Sequence, residues 1–455
     1  MVYSEFCDCD YFMGKKQFLE YIANSNFRRS YKIKFDPEIG RKRKFEYWDV
    51  PCSFDIETTS FYYNDEKFAT MYLWGFNFNG RSVYGRTWEE FISLMDIISG
   101  ILNTENITLI CGVHNLSYEF NWFRKWFEWD NVFCMKEHEC VKARTTTGIE
   151  FRCTLLESGK RLALLAEELT GYHIRKLDTL NYRGIRHSNT PLTDLELMYQ
   201  LNDVRIVAIY LYEKGKKRKG ICNILATKTG YVRELFKKNT IENPDKNIRD
   251  KYRAIIRSLT MDPNEYIQAE HTFQGGFVHG SYLYIDELLE MVGSFDEISA
   301  YPATMVANMF PMSKGVHIEI PTPEDIETAL KYYCCMFRWE VWDLKQKKGV
   351  FDNPISESHC DTLEHPTINN GRVKSAEHLV TYITNVDYEI YQEFYTWDKS
   401  TESITRLWRY SKGFLPKAFI ETVLELYENK TKLKGVKGSE ELYMLSKENM
   451  NSSFG

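Results

Sequence analysis

The clearest periodicity begins at residue 51. PCSFDIETTSF (51–61) is a short apolar run that opens into acidic and hydroxyl residues, as a buried strand would. ATMYLWGFNFNGRSVYGRTW (69–88) alternates apolar and polar positions around Asn79-Gly80, a dipeptide that favours a two-residue hairpin turn. ITLICGVHN (107–115) predicts another buried strand, and the aromatics of LSYEFNWFRKWF (116–127) have helical spacing. LALLAEELTGY (162–172) predicts a helix closed by Gly171. TDLELMYQLNDVRIVAIYLYEKG (193–215) predicts a long amphipathic helix with Thr193 as its N-cap. Strand, hairpin, strand and helices together describe a three-layer α/β domain over 51–213.

Outside that span the pattern weakens. Residues 1–50 are aromatic and basic without a clear period, 214–270 is expected to connect two domains, and 271–455 forms the last. FQGGFVHGSYLYIDELLEMVGSFDEISAYP (273–302) combines glycines with short strands, one of them ending at Asp296, while 303–410 resists parsing. The segment 416–455 predicts helix, lysine-rich turn, helix: Ile420, Val423, Leu424 and Tyr427 follow the i, i+3, i+4, i+7 rule, and Ser439-Glu440-Glu441 opens the second helix. No internal repeat is present.

Composition narrows the class. A chain of 455 residues calls for two or three domains, and 43% hydrophobic with 15% aromatic residues can fill their cores. The net charge of −6 argues against a generic polyanion binder, yet GRKRKF (40–45) and EKGKKRKG (213–220) are locally basic; such clusters are solvated surface or a phosphate-binding stripe. Eleven scattered cysteines without paired CxxC spacing suit a reducing compartment, and CMKEHEC (134–140) lacks the second half of a zinc site. With no signal-like start and no long apolar run, the expectation is a soluble intracellular protein, not secreted and without a membrane partner.

Carboxylates supply the candidate chemistry. Asp55 and Glu57, two apart on a strand, project from one face. Glu119 follows the His114-Asn115 loop, and Tyr199 and Asp203 share a helix face. Each alone is unremarkable, since a mid-helix acid is usually a solvated one. Together they suit two divalent ions about 3.5–4 Å apart, which need several converging carboxylates to act on a phosphodiester.

FDIET, HNLSYEF and YQLND closely resemble the three exonuclease motifs of DNA-polymerase proofreading domains, which have an RNase H-like fold. The resemblance implies that Asp55, Glu57 and Asp203 are metal ligands and that Tyr199 orients the attacking water. It gives Thr58, Asn115 and Tyr118 the single-stranded 3′ end, with His114 nearby. Glu119 stands where the family usually has Asp, a longer arm at a catalytic position. Lys176 and Tyr182, in RKLDTLNY, look like a further lysine and tyrosine of protein-primed relatives.

Later motifs extend the resemblance to family B DNA polymerases. DEISAYP resembles DxxSLYP, with Ala300 in place of Leu. There Asp296 and the carbonyl of Glu297 would bind the catalytic metals, and Tyr301, biased to a turn by Pro302, would lie under the incoming sugar. TFQGG resembles YxGG with Phe273 for Tyr, and its Gly275 and Gly276 would admit template phosphates. KENMNSSFG resembles KxxxNSxYG: Lys447 would grip the triphosphate, and Asn451, Phe454 and Gly455 would line the nascent pair. Lys430 and Lys432 would approach DNA.

The motifs occur in family order over about 51–455. The implied fold class is therefore α/β and α+β, an RNase H-like 3′–5′ exonuclease domain followed by an incomplete family B palm and fingers. The implied function is a protein-primed DNA-directed DNA polymerase of a phage or mobile element, in the cytoplasm of a bacterial host. Mg2+ or Mn2+ in two-metal sites, dNTP substrates, DNA and a terminal-protein primer would accompany it. Nothing here reads as the YxDTDS hairpin, so the expectation is a split or truncated polymerase whose second polypeptide carries that motif and the thumb. The alternatives are a stand-alone 3′–5′ exonuclease and a non-catalytic protein that binds DNA or terminal protein.

Overall fold

The computed structural model describes residues 2–36, 40–177, 184–280, 284–437 and 440–453. Two units are resolved, Met1–Tyr231 and Val232–Gly455.

The N-terminal residues, which show no period, contribute to the first core. Helix α1 (Lys15–Asn24) buries Phe18 and Ile22, four apart and so on one face. A two-stranded antiparallel ribbon follows, β1 (Arg29–Asp36) and β2 (Arg41–Trp48). Next come β3 (Cys52–Tyr63), β4 (Glu66–Phe78), β5 (Arg81–Gly85), helix α2 (Trp88–Glu105), β6 (Leu109–Val113), helix α3 (Leu116–Phe123), β7 (Trp129–Cys134), β8 (Cys140–Thr145) and β9 (Ile149–Cys153). Short helices α4 (Thr154–Ser158) and α5 (Leu162–Glu167) lead to the long α6 (Asp194–Arg218). The strands form one seven-stranded sheet in the order β5-β4-β3-β6-β9-β8-β7, with β3, β6 and β9 mutually parallel.

Sequence chemistry explains several of these elements. Asn79 and Gly80 both adopt positive φ (54° and 85°), the combination a type I′ hairpin turn requires, and they join β4 to β5. Thr193 caps α6 in a reciprocal capping box with Glu196. Along β3, Cys52, Phe54 and Ile56 pack into the aromatic core shared with α1, α2 and α3. Ser53, Asp55 and Glu57 alternate with them and so occupy the opposite face. That polar face is covered rather than solvated, because α6 lies across it: Ser53 Oγ donates to the Val204 carbonyl at 2.6 Å.

Two helix ends differ from expectation. The predicted helix at 162–172 stops at Glu167, short of Gly171, where Glu213 takes over the main-chain N–H groups of Thr170 and Gly171. The basic run 213–220, expected to be a linker, is mostly helical: Lys216, Lys217 and Arg218 form the last turn of α6, where cations complement the helix dipole.

The second unit holds helices α7 (Lys228–Asn239, beginning just before the boundary), α8 (Lys246–Ser258), α9 (Pro263–Thr272) and α10 (Ala300–Ala307). The stretch 303–410, opaque in sequence, is an antiparallel sheet: β10 (Phe310–Pro311), β11 (Val316–Ile318), helix α11 (Pro323–Tyr332), β12 (Tyr333–Gln346), β13 (Cys360–Glu364), β14 (Thr367–Asn369), β15 (Arg372–Thr384), helix α12 (Asn385–Phe394), β16 (Tyr395–Thr396) and β17 (Ser403–Gly413). Its centre is β17-β12-β15, and its core is built around Trp339, Leu379 and Tyr391. Helices α13 (Lys417–Leu433) and α14 (Glu440–Asn451) follow, Val423 and Leu424 lying on different faces since only Val423 is buried. None of the described helices is long and apolar enough to cross a membrane.

Candidate functional site

Asp55 and Glu57 on β3 meet Asp203 on α6. One carboxylate oxygen from each lies within 4.8 Å of the other two. Close approach of helix to sheet makes this possible. Gly75, the β4 partner of Asp55, has no room for a side chain: a Cβ there would stand 2.8 Å from Gln200 Nε2 and 3.1 Å from Val204 Cγ1. Gly112, beside Ser53 on β6, is similarly crowded by Leu211 of α6 at 2.7 Å. A β-bulge between Glu57 and Thr58 then shifts the strand register just past the two acids.

The carboxyls are held under strong electrostatic load. Burial and then Asp203 push Asp55 up to about 7. Burial, with Asp55 and Asp203 adding, takes Glu57 to about 9. Burial raises Asp203 to about 6 against the opposing pull of Lys176. Glu119, buried on α3, is raised well above the carboxylate range by burial and then by Asp55. Like charges gathered out of water, with oxygens to spare, are what a divalent cation relieves. Asp203 Oδ1 and Glu119 Oε2 are both buried and have no hydrogen-bond partner among the described residues. The donor set therefore fits hard divalent ions.

Other predicted residues surround the triad. Lys176, in the irregular segment after α5, pairs with Asp203 and donates to the Tyr199 hydroxyl at 2.8 Å. Thr58 and Tyr118 hydrogen-bond through their hydroxyls, Tyr118 being partly exposed. Asn115 begins α3 in a left-handed conformation (φ 74°) and is exposed. His114 Nδ1 lies 3.1 Å from Thr154 Oγ1, and burial and then Lys176 drive its pKa down to about 4. Tyr182 lies outside the described residues.

In the second unit Asp296 and Glu297 are exposed in an irregular segment, not at a strand end as expected. The short apolar run before them is interrupted by Gly293-Ser294 and pairs with no described strand. Tyr301 sits in the first turn of α10 rather than at a turn, since Pro302 is tolerated where helix N–H groups lack partners anyway. The Cβ position of Gly276 is 3.0 Å from the Tyr301 hydroxyl, whereas Gly275 is open. Lys430 is buried on α13 and donates to Ser299 Oγ at 2.8 Å, which ties the SAYP turn to that helix. Lys432 pairs with Glu428 at 2.9 Å on the surface. Lys447 and Asn451 lie exposed on α14, which packs on α10 and α13. Phe454 and Gly455 are outside the described residues.

No protein-family model and no curated protein matches the sequence. Among solved structures, phi29 DNA polymerase in an orthorhombic crystal form aligns with a TM-score of 0.61 at 17% identity, over 89% of this chain and 67% of that one. The fold is similar to that of phi29 DNA polymerase. The same polymerase complexed with primer-template DNA and incoming nucleotides aligns at TM-score 0.59 and 17% identity, with the same shares of the two chains. Its complex with single-stranded DNA aligns at 0.60 and 17%, over 89% and 66%. The chain thus spans about two thirds of the length of the phi29 polymerase chains.

Within this phi29-like fold, Gln200 has a role that motif reading overlooked. Fully buried on α6, it donates through Nε2 to both the carbonyl oxygen of Asp55 (3.0 Å) and its carboxylate Oδ2 (3.1 Å). A signal was available, since Gln200 lies three residues before Asp203 and hence on the same helix face.

Proposed function

We propose that this chain is a DNA polymerase of the protein-primed family B type whose first unit removes nucleotides from DNA 3′ ends. The observation that carries this reading is the convergence of Asp55, Glu57 and Asp203 within 4.8 Å, Asp55 half-buried and the other two buried, with Lys176 paired to Asp203. The phi29-like fold supports an RNase H-like nuclease of about residues 51–213 followed by polymerase elements from about 271.

Asp55, Glu57 and Asp203 would hold magnesium or manganese ions, with Glu119 close by. Such ions supply a water of lowered pKa and stabilise charge on the attacking and leaving oxygens. The chain's own groups do the rest. Lys176 offsets part of the carboxylate charge and fixes the Tyr199 hydroxyl beside Asp203, where that hydroxyl orients a water. Thr58, Tyr118 and Asn115 receive the single-stranded 3′ end at the open side of the site. His114, neutral at physiological pH, offers a hydrogen bond instead of a charge.

For the second unit, the same reading gives Asp296 and Glu297 to metal, Tyr301, Lys447, Asn451 and Phe454 to a dNTP, and Gly275, Gly276, Lys430 and Lys432 to DNA. A terminal-protein primer and a phage setting in a bacterial cytoplasm belong to it as well. The test is incubation of purified chain and magnesium with 5′-labelled single-stranded DNA. A ladder of 3′-shortened products, lost in Asp55→Ala, is expected; an intact substrate, or equal shortening by that variant, refutes the proposal.

A further inference from the structure

The two basic runs, 40–45 and 213–220, are far apart in sequence, and the acidic site uses neither. The fold sets the end of the second against the root of the ribbon that carries the first. Ser30 on β1 lies against Gly220, just past the end of α6 (3.0 Å from its Cβ position), and β1 packs on residues 221–223. Between the ribbon root and α6 is a cavity of about 590 Å3 whose lining includes Arg28, Tyr212, Lys216 and Lys219. Asp49, also there, is engaged by the Ile221 N–H at 2.7 Å.

The ribbon itself is unlike the rest of this acidic chain. Its strands carry seven Lys or Arg residues against two acids. Tyr31, Ile33 and Phe35 project on one face of β1 and are 59%, 65% and 64% exposed. Their cross-strand partners on that face are Glu46, Lys44 and Lys42. Lys44 Nζ stands 4.9 Å over the Tyr31 ring. Protection of a free edge against aggregation would account for the lysines but not for three exposed apolar side chains between them. On the other face Lys32 is crowded: burial, then Arg152 and Lys34, lower its pKa to about 8. Glu46 pairs with Lys44 at 2.6 Å and Asp36 with Arg43 at 3.5 Å, so two acids answer the seven cations of the ribbon strands.

We propose that the exposed face of the β1–β2 ribbon forms a second binding surface, for single-stranded DNA. Tyr31 and Phe35 stack on bases, while Lys42 and Lys44 hold phosphates. Alternate side chains on a strand are about 7 Å apart, wider than the roughly 3.4 Å step of a stacked helix. Bases seated on Tyr31, Ile33 and Phe35 must therefore be unstacked, and a duplex presents no base faces to such rings. Stacking platforms flanked by cations are the general means of holding single strands. The ribbon joins the sheet at Thr108, at the start of β6, whereas the acidic site lies beyond the end of that strand. The surface is thus separate from the nuclease site and does not depend on its being catalytic.

Fluorescence anisotropy of the full chain with an oligothymidylate of about 16 nucleotides, in EDTA and over a range of salt, tests this. Lys42→Glu/Lys44→Glu is expected to raise Kd at least about tenfold and to flatten the log Kd against log salt slope by about 1.4. Tyr31→Ala/Phe35→Ala should raise Kd at least about fivefold with the slope unchanged. Lys16→Glu/Lys345→Glu, an equal change of charge elsewhere, should leave Kd within about twofold, and matched melting curves establish that all variants fold. If the aromatic pair binds like wild type, the surface is at most a generic cation patch and the proposal fails; it fails equally if the lysine pair binds like wild type. Asp55→Ala should lose nuclease activity yet keep ribbon-dependent binding, so failure of one proposal is distinguishable from failure of the other.

Discussion

Gln200 clasps Asp55 from the helix side, donating to its carbonyl at 3.0 Å and to its carboxylate at 3.1 Å. Through one amide, the position of α6 and the orientation of a carboxylate on β3 are coupled. Gln200→Ala should therefore lower exonuclease turnover about 10- to 100-fold and raise the magnesium needed for half-maximal rate, as loss of partners behind metal ligands does. A magnesium titration of the rate of 5′-labelled strand shortening checks it. An unchanged titration midpoint would mean that Asp55 needs no such support.

Gly75 is the sheet residue that admits Gln200. A Cβ would meet Gln200 Cγ at 3.0 Å and Val204 Cγ1 at 3.1 Å, so Gly75→Ala must displace α6 or the strand. Overpacking of this kind costs about 1–3 kcal/mol. Urea unfolding should show that loss in the first unit, together with a drop in nuclease rate larger than at an exposed glycine such as Gly100. Stability equal to wild type would show that the helix can move without cost.

The triad makes stability depend on pH in a definite direction. Asp203, Asp55 and Glu57 titrate at about 6, 7 and 9 in the fold, against about 4 in an unfolded chain. Between those limits the metal-free native state binds more protons than the unfolded state, so its stability falls as pH rises from about 4 to about 9. Metal binds the deprotonated carboxylates, so the melting-temperature gain from magnesium should grow over the same window. Thermal melts with and without magnesium check both, and Asp55→Asn/Glu57→Gln should flatten them. A metal-free melting temperature that climbs toward pH 9 contradicts the assignment.

Lys176 favours the ionised forms of Asp55, Glu57 and Asp203. Lys176→Met should move the pH of half-maximal nuclease rate upward, by about one unit or more, because Asp203 loses its paired cation and Asp55 and Glu57 lose a nearby one. Rate profiles from acidic to alkaline pH, at saturating magnesium, measure the shift. A profile that moves downward or stays fixed leaves Lys176 with a purely structural role.

The sequence alone determined what local periodicity can encode. Asn79-Gly80 specified its turn through two positive φ angles, Thr193 and Glu196 specified the start of α6, and the spacing of Asp55 with Glu57 and of Tyr199 with Asp203 specified shared faces. What it could not decide depends on distant partners. Asp296 was expected at a strand end, but a short apolar run becomes a strand only where another strand pairs with it, and no described one does. The sheet over 303–410 was unreadable because its long strands change from buried to exposed with the elements that cover them, as the pattern along β12 shows. Only the tertiary structure set Gly75 against Gln200, gathered three acids into one largely buried site and laid the end of α6 against the root of the ribbon. Those relationships rest on the close packing of α6 across a sheet face whose side chains are too small, or absent, to keep it away.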